Sequence, residues 1–324
     1  MKRLATFLLT TMIAVGAFAG MTFAEDHTIG FCMASLYSLP GHYHAYLAVQ
    51  EKADEEGWTV VPADLTSVDD VPKICENFIS AGCDVVLMHA LYREAMEAQL
   101  PAMLDAGITV ASIDGDLTEA GAQFTVYCDN YNSGYTIGTA AAEWAKENIE
   151  GKVYAGCLNY NQVERFAERG KGEMDALKDI LGDNVEIVGE LDAGLPEEGM
   201  AQAENMLSAH PDMNLMVCWN GTSGIGAHEA LKSAGWNKKE GVGLFDIDAG
   251  SDALAAILEE GSCFKASLDM GLIDSLSGCV FKMVEYVEND HQYPEGTDES
   301  YYKTPYPVKP IFADEAEEML KLYE

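Results

Sequence analysis

The chain has 324 residues, 48% of them hydrophobic, enough for more than one core, and it carries 19 basic against 54 acidic side chains for a formal charge of −35. Such a charge repels polyanions and anionic bilayer surfaces, so nucleic acid is excluded as a partner and the chain is expected to be a soluble monomer. Eight cysteines occur without a CxxC or other metal-ligand spacing, so neither a zinc site nor a redox motif is supported.

In chain order, Lys2 and Arg3 precede an apolar run over 4–19, and a small-residue pattern ends at Ala24. Residues 1–24 therefore read as a signal peptide cleaved near Ala24, too short for a membrane anchor. No cysteine directly follows the cut to carry a lipid. The mature protein is expected in the periplasm.

Short β-branched runs then alternate with helix-length amphipathic segments, the pattern of parallel sheets with crossover helices. Strands are predicted at 28–33, 59–63, 84–89, 109–114 and 124–128, and again at 152–158, 185–191, 214–219, 242–246 and 264–268. Helices lie between them, among them 94–105, 133–148, 164–181 and 252–259. Cys32, Cys157 and Cys218 sit inside strand-like runs, where cysteine behaves as a small core hydrophobe, so the thiols are expected to be mostly free.

FISAGCDVVLMHA, ending at Ala90, is echoed by MLSAHPDMNLMVCWN, ending at Asn220, and the next strand ends follow each at like spacing. Two similar α/β halves are implied. Ligands of open parallel sheets bind beyond the carboxyl ends of strands, and His89, Asp114, Asn220 and Asp246 all occupy that position. An ionised Asp is an acceptor-only group that can hold neighbouring hydroxyls of a sugar or polyol. The alternative role for such an Asp is to cap the following helix or turn. Asp114 with Asp116, and Asp246 with Asp248, also share a DxD spacing found in metal-dependent sugar transferases.

Arg169 opens a helix and is read either as a donor to ligand oxygens or as an ion pair with Glu173 one turn on. YSLPGHYHAY, from Tyr37 to Tyr46, brings rings to the first helix, where they could cover the apolar face of a sugar. His42 and His44 are two apart, a spacing that does not put two imidazoles on one helix face, so no metal is assigned. No cofactor and no catalytic residue is assigned either: GTSGIG lacks the order of a dinucleotide loop or a nucleophile elbow, and a P-loop is absent.

Taken together, TIGFCMASL, VVLMHA, ITVASIDGD, TVYCDN, ERGKGEM, LSAHPD, LMVCWNG and VGLFDID, in that order, resemble the type I periplasmic sugar-binding proteins, in the ribose-binding-like branch that serves ABC importers. The resemblance implies two doubly wound parallel-sheet lobes joined by a three-crossing hinge, with residues 25–129 plus 270–300 in the first lobe and 130–269 plus 301–324 in the second. It carries the family's cleft contacts onto Asp114, Arg169, Asn220, the pair Phe245 and Asp246, Asp269 in place of a glutamine, and His89 in place of an asparagine. Opening contacts fall near Tyr37, Ser38, His42 and Tyr43, and Trp219 or Phe166 would replace an aromatic missing near Gly194. Gly115 replaces an arginine, and Gly41, His42 and Tyr43 replace paired phenylalanines. The expected ligand is a neutral monosaccharide or polyol, delivered to membrane ABC permease subunits. An exported metal-dependent carbohydrate-active enzyme and a chemotaxis or sensor subunit are the alternatives.

Overall fold

The computed structural model describes residues 26–323, and the predicted signal peptide lies outside the described residues. The first unit runs β1 (Thr28–Ala34), α1 (Pro40–Glu56), β2 (Thr59–Leu65), α2 (Asp70–Ala81), β3 (Val85–His89), α3 (Arg93–Asp105), β4 (Thr109–Ile113) and β5 (Phe124–Tyr127). The chain then crosses to α4 (Asn130–Asn148), β6 (Val153–Asn159), α5 (Glu164–Leu181), β7 (Val185–Asp192), α6 (Pro196–Ala209) and β8 (Leu215–Cys218). It continues through α7 (Gly221–Ser233), β9 (Gly243–Ile247), α8 (Ser251–Ile257) and β10 (Phe264–Asp269). A second crossing leads to α9 (Leu272–Glu288), α10 (Glu299–Tyr302) and β11 (Lys303–Pro305), and a third returns to β12 (Lys309–Phe312) and α11 (Ala313–Leu320).

Two six-stranded sheets result, ordered β11-β5-β4-β3-β1-β2 and β12-β10-β9-β8-β6-β7. All pairs are parallel except β10 with β12. The architecture is α/β and doubly wound, as the alternation of runs implies. Both faces of each sheet are covered, which is why the strands read as continuous apolar runs. In β1, Phe31 and Met33 enter one core while Cys32, between them, enters the opposite one; in β3, Val85 and Leu87 alternate with Val86 and Met88 in the same way. Sealing each such side chain from water contributes about 1.5–3 kcal/mol.

All eight cysteines are free, and seven are buried. The third crossing falls at 305–309, later than expected: residues 301–305 belong with the first sheet, because β11 pairs with β5. That strand and β12 had no signal of their own, being short, proline-containing edge segments that only pairing defines. Among the described residues no helix is long and apolar enough to cross a membrane.

Candidate functional site

The carboxyl ends of both sheets open on one cleft of about 770 Å³ between the lobes. Its first-lobe wall holds His42, His89, Asp114 and Asp116, its second-lobe wall Arg165, Phe166, Arg169 and Asp248, and the crossings add Tyr127, Cys128, Asn130 and Tyr306. In each sheet the strand order reverses beside the first strand of its lobe, where diverging connections leave a crevice.

Asp114 leaves β4 in the left-handed region, φ 57°, a conformation that Asp tolerates better than most residues. Its Oδ1 accepts a 2.7 Å hydrogen bond from the Tyr306 hydroxyl, and its Oδ2 lies 3.6 Å from His89 Nε2. Burial pulls the His89 imidazole below its usual range, with Asp114 opposing the shift. Tyr306 comes from the third crossing; burial and the adjacent Asp114 hold its phenol protonated, and its backbone N–H donates to Tyr127 O at 2.9 Å. One first-lobe carboxylate is thus anchored by the hinge.

Arg169 projects from α5 and is 7% exposed. It does not pair with Glu173. Its Nε donates to Asn130 Oδ1 at 3.1 Å, one terminal nitrogen to Trp219 O at 2.9 Å, and the other to Cys128 Sγ at 3.5 Å. A guanidinium has five N–H donors, so two remain for a ligand, with Asp248 3.9 Å away. Arg165, one turn earlier on the same face, lies 4.7 Å over the Phe166 ring. Lys303 is occupied by Asp116 at 3.1 Å and Glu299 at 2.9 Å.

Asp246 is placed differently from its expected role. The strand β9 runs one residue further than expected, so Asp246 stays in the ladder opposite Ser267, fully buried, with Oδ1 accepting from the Ser267 hydroxyl. Helix α7 lies directly on it, since a Cβ added to Gly224 would overlap the carboxyl. The cleft carboxylate is Asp248, which leaves the strand at φ 101° and accepts from Gly221 N–H at 3.1 Å through Oδ2. Phe245 is likewise a core residue, packed on Trp144. Asn220 caps α7, accepting from Ser223 N–H at 3.0 Å, so the capping alternative describes it.

Trp219 is behind the wall rather than on it: its Nε1–H donates to Ala193 O at 2.6 Å, it stacks on Tyr160, and Arg169 lies over its ring. Asp269 closes a turn through Gly271 N–H at 3.0 Å, and burial raises its pKa. Tyr37, Ser38 and Tyr43 are exposed and lie outside the cleft lining, Tyr37 and Ser38 in the turn before α1 and Tyr43 on it, whereas the neighbouring His42 lines the cleft.

The structure therefore gathers His42, His89, Asp114 and Arg169 from the expected set and adds Asp248, Arg165, Asn130 and Tyr306. Arg165 was legible from its four-residue spacing to Arg169; Tyr306 had no local signal. Among the described residues, no group of three or more His, Cys, Asp or Glu side chains is arranged to hold a metal ion.

The family model of the periplasmic binding protein domain matches residues 40–272. The ribose import binding protein of Bacillus subtilis is 24% identical over 239 residues, 72% of this chain and 73% of that protein. A putative rhizopine-binding protein of Rhizobium meliloti is 28% identical over 187 residues, 56% of this chain and 59% of that protein. Among solved structures, an arabinose binding protein from Geobacillus stearothermophilus superposes with a TM-score of 0.76 at 16% identity, over 90% of this chain and 99% of that one. An ABC transporter solute binding protein from Bacillus halodurans with bound myo-inositol gives 0.67 at 20%, over 93% and 99%. At these identities the structural likeness is one of fold.

Proposed function

The chain belongs to the periplasmic binding protein domain family, and from that premise we propose that it captures a neutral monosaccharide or polyol outside the cytoplasm and presents it to an ABC permease. The single observation that carries this reading is the two-sided cleft: the acceptor Asp114 lines it from the first lobe, and the acceptor Asp248 with the donors Arg165 and Arg169 from the second. Ribose, arabinose and myo-inositol, named for its relatives, are the ligands to try first.

Ligand contacts from both walls are complete only when the lobes are closed, so a ligand shifts the open and closed populations by its differential affinity. Charge-assisted hydrogen bonds contribute about 1.5–3 kcal/mol each, so about three to five of them reach the roughly −8 kcal/mol of micromolar binding. The positive charge missing at Gly115 is supplied instead by Arg165 from the other lobe, while acids still outnumber the cations around the cleft. A neutral ligand fits that balance better than a phosphorylated or acidic one.

A thermal-shift screen of these and other neutral sugars and polyols, beside sugar phosphates and uronic acids, followed by calorimetry, tests the reading. Micromolar binding of a neutral sugar or polyol is expected, weakened about tenfold to hundredfold in Asp248→Asn. A preference for a sugar phosphate or uronic acid would overturn the neutral assignment, and no binding by any of them would overturn sugar capture.

A further inference from the structure

We propose that the first-lobe half of the cleft reads its ligand through two imidazoles, His42 and His89, whose tautomers are fixed in opposite senses by the backbone N–H and C=O of one residue, Ala34. Ala34 ends β1, beside β3, at the point where the strand order of the first sheet reverses. Its backbone N–H donates to His89 Nδ1 at 3.3 Å, and its carbonyl oxygen accepts from His42 Nδ1 at 2.5 Å. An amide N–H only donates and a carbonyl oxygen only accepts, so these two bonds require a bare Nδ1 on His89 and a protonated Nδ1 on His42. His89 carries its proton on Nε2; His42 carries its proton on Nδ1.

The consequence is a complementary pair at one wall. His89 offers an Nε2–H donor 3.6 Å from Asp114 Oδ2, and His42, in its Nδ1–H tautomer, offers Nε2 as a lone-pair acceptor. The two rings stand at 86° with centroids 5.8 Å apart, and both border the cleft. Because Tyr306 occupies Asp114 Oδ1, the other oxygen is the one left to accept. The wall therefore presents a donor, a carboxylate acceptor and an imidazole acceptor side by side.

That order suits two neighbouring hydroxyls. One accepts from His89 Nε2–H while donating to Asp114 Oδ2; the other donates to His42 Nε2. His89 is held neutral by geometry, since a second proton on Nδ1 would face the Ala34 N–H, and its burial acts in the same direction. The hydroxyl assignment rests on the sugar-capture reading. The tautomers do not.

Long-range ¹H–¹⁵N correlation of the imidazoles in ligand-free protein at neutral pH, with signals assigned through His42→Gln and His89→Gln, tests the tautomers. His89 is expected as the Nε2–H form and His42 as the Nδ1–H form; the opposite tautomer or an imidazolium at either residue would overturn the proposal. Calorimetry with D-ribose and myo-inositol as probes tests the hydroxyls. His89→Asn keeps an acceptor for Ala34 N–H but removes the cleft donor, and should lose about tenfold to hundredfold in affinity with an unchanged melting temperature. His89→Gln restores an N–H near the lost one and should recover part of the loss. Equal affinity of His89→Asn and the parent protein would overturn the hydroxyl assignment. If neither probe binds the parent protein, sugar capture and the hydroxyl assignment fall together, while the tautomers are still decided in the empty protein.

Discussion

Asp246 and Glu173 are both fully buried, and Asp246 Oδ2 and both Glu173 carboxyl oxygens have no hydrogen-bond partner among the described residues. Burial raises both pKa values well above the carboxylate range; Asp248 adds to the shift at Asp246, whose Ser267 bond opposes it, while Asp246 adds to that of Glu173, where Arg169 opposes it. A carboxyl whose folded pKa is raised is protonated in the native state and ionised in the unfolded chain. Its presence costs stability increasingly as pH rises from the unfolded value of about 4 towards the folded one. Glu173→Gln, which keeps the shape and removes the titration, is expected to stabilise the protein more in denaturant unfolding at pH 8 than at pH 5. A gain that does not change with pH would contradict this. The alternation of apolar and acidic residues in GLFDIDAG identified two carboxylates at a strand end; which one turned inward depended on whether the ladder closed at Asp246 or one residue later, and Ser267 on the neighbouring strand decided it.

Helices α4 and α5 meet at unusually close range. A Cβ on Gly134 would overlap the backbone carbonyl of Arg169, and one on Gly172 would overlap the Tyr131 carbonyl. This approach sets how far Arg165 and Arg169 reach into the cleft, so packing and recognition are coupled in one helix pair. Gly134→Ala is expected to destabilise by about 1–3 kcal/mol, as overpacking does, and also to weaken sugar binding by displacing Arg169. Gly278→Ala in α9, where a Cβ meets nothing, should instead stabilise by about 0.5–1 kcal/mol without touching affinity. Chemical denaturation and calorimetry on both variants distinguish the two outcomes; equal effects would break the proposed coupling. The central strands were legible because burial on both faces leaves near-continuous apolar runs, whereas β11 and β12 have no such run and exist only through their partners β5 and β10.

Three crossings carry the chain between lobes, and side chains also meet across the cleft mouth. The Tyr323 ring lies 5.1 Å from that of His44 on α1, while its hydroxyl donates to Ala249 O beside Asp248. Arg169 bonds to Asn130 and Cys128 at the first crossing, and Tyr306 at the third holds Asp114. Both walls are therefore tied to the hinge. A ligand bound between them stabilises the native state by mass action, by about 2.7 kcal/mol at a hundredfold excess over Kd. Denaturant unfolding with increasing sugar should rise along that curve, with lobe closure seen as a smaller radius of gyration in solution scattering. A bound sugar that leaves the radius unchanged would argue against closure.

The sequence by itself determined the α/β alternation, the duplication and the strand ends that face the cleft, because these follow from local periodicity and from the burial of both sheet faces. His89 and Asp114 were legible for the same reason, each standing at or just beyond the end of a core strand, whereas His42 and Arg169 were read from a ring-rich helix start and a cation early in a helix. The tertiary structure alone decided that Asp248 rather than Asp246 faces the cleft, that Tyr306 holds Asp114, and that Asn220 is a cap. Each of those depends on a partner between 3 and 192 positions away, and the nearer partner became decisive only once the helix it begins had been placed against the sheet.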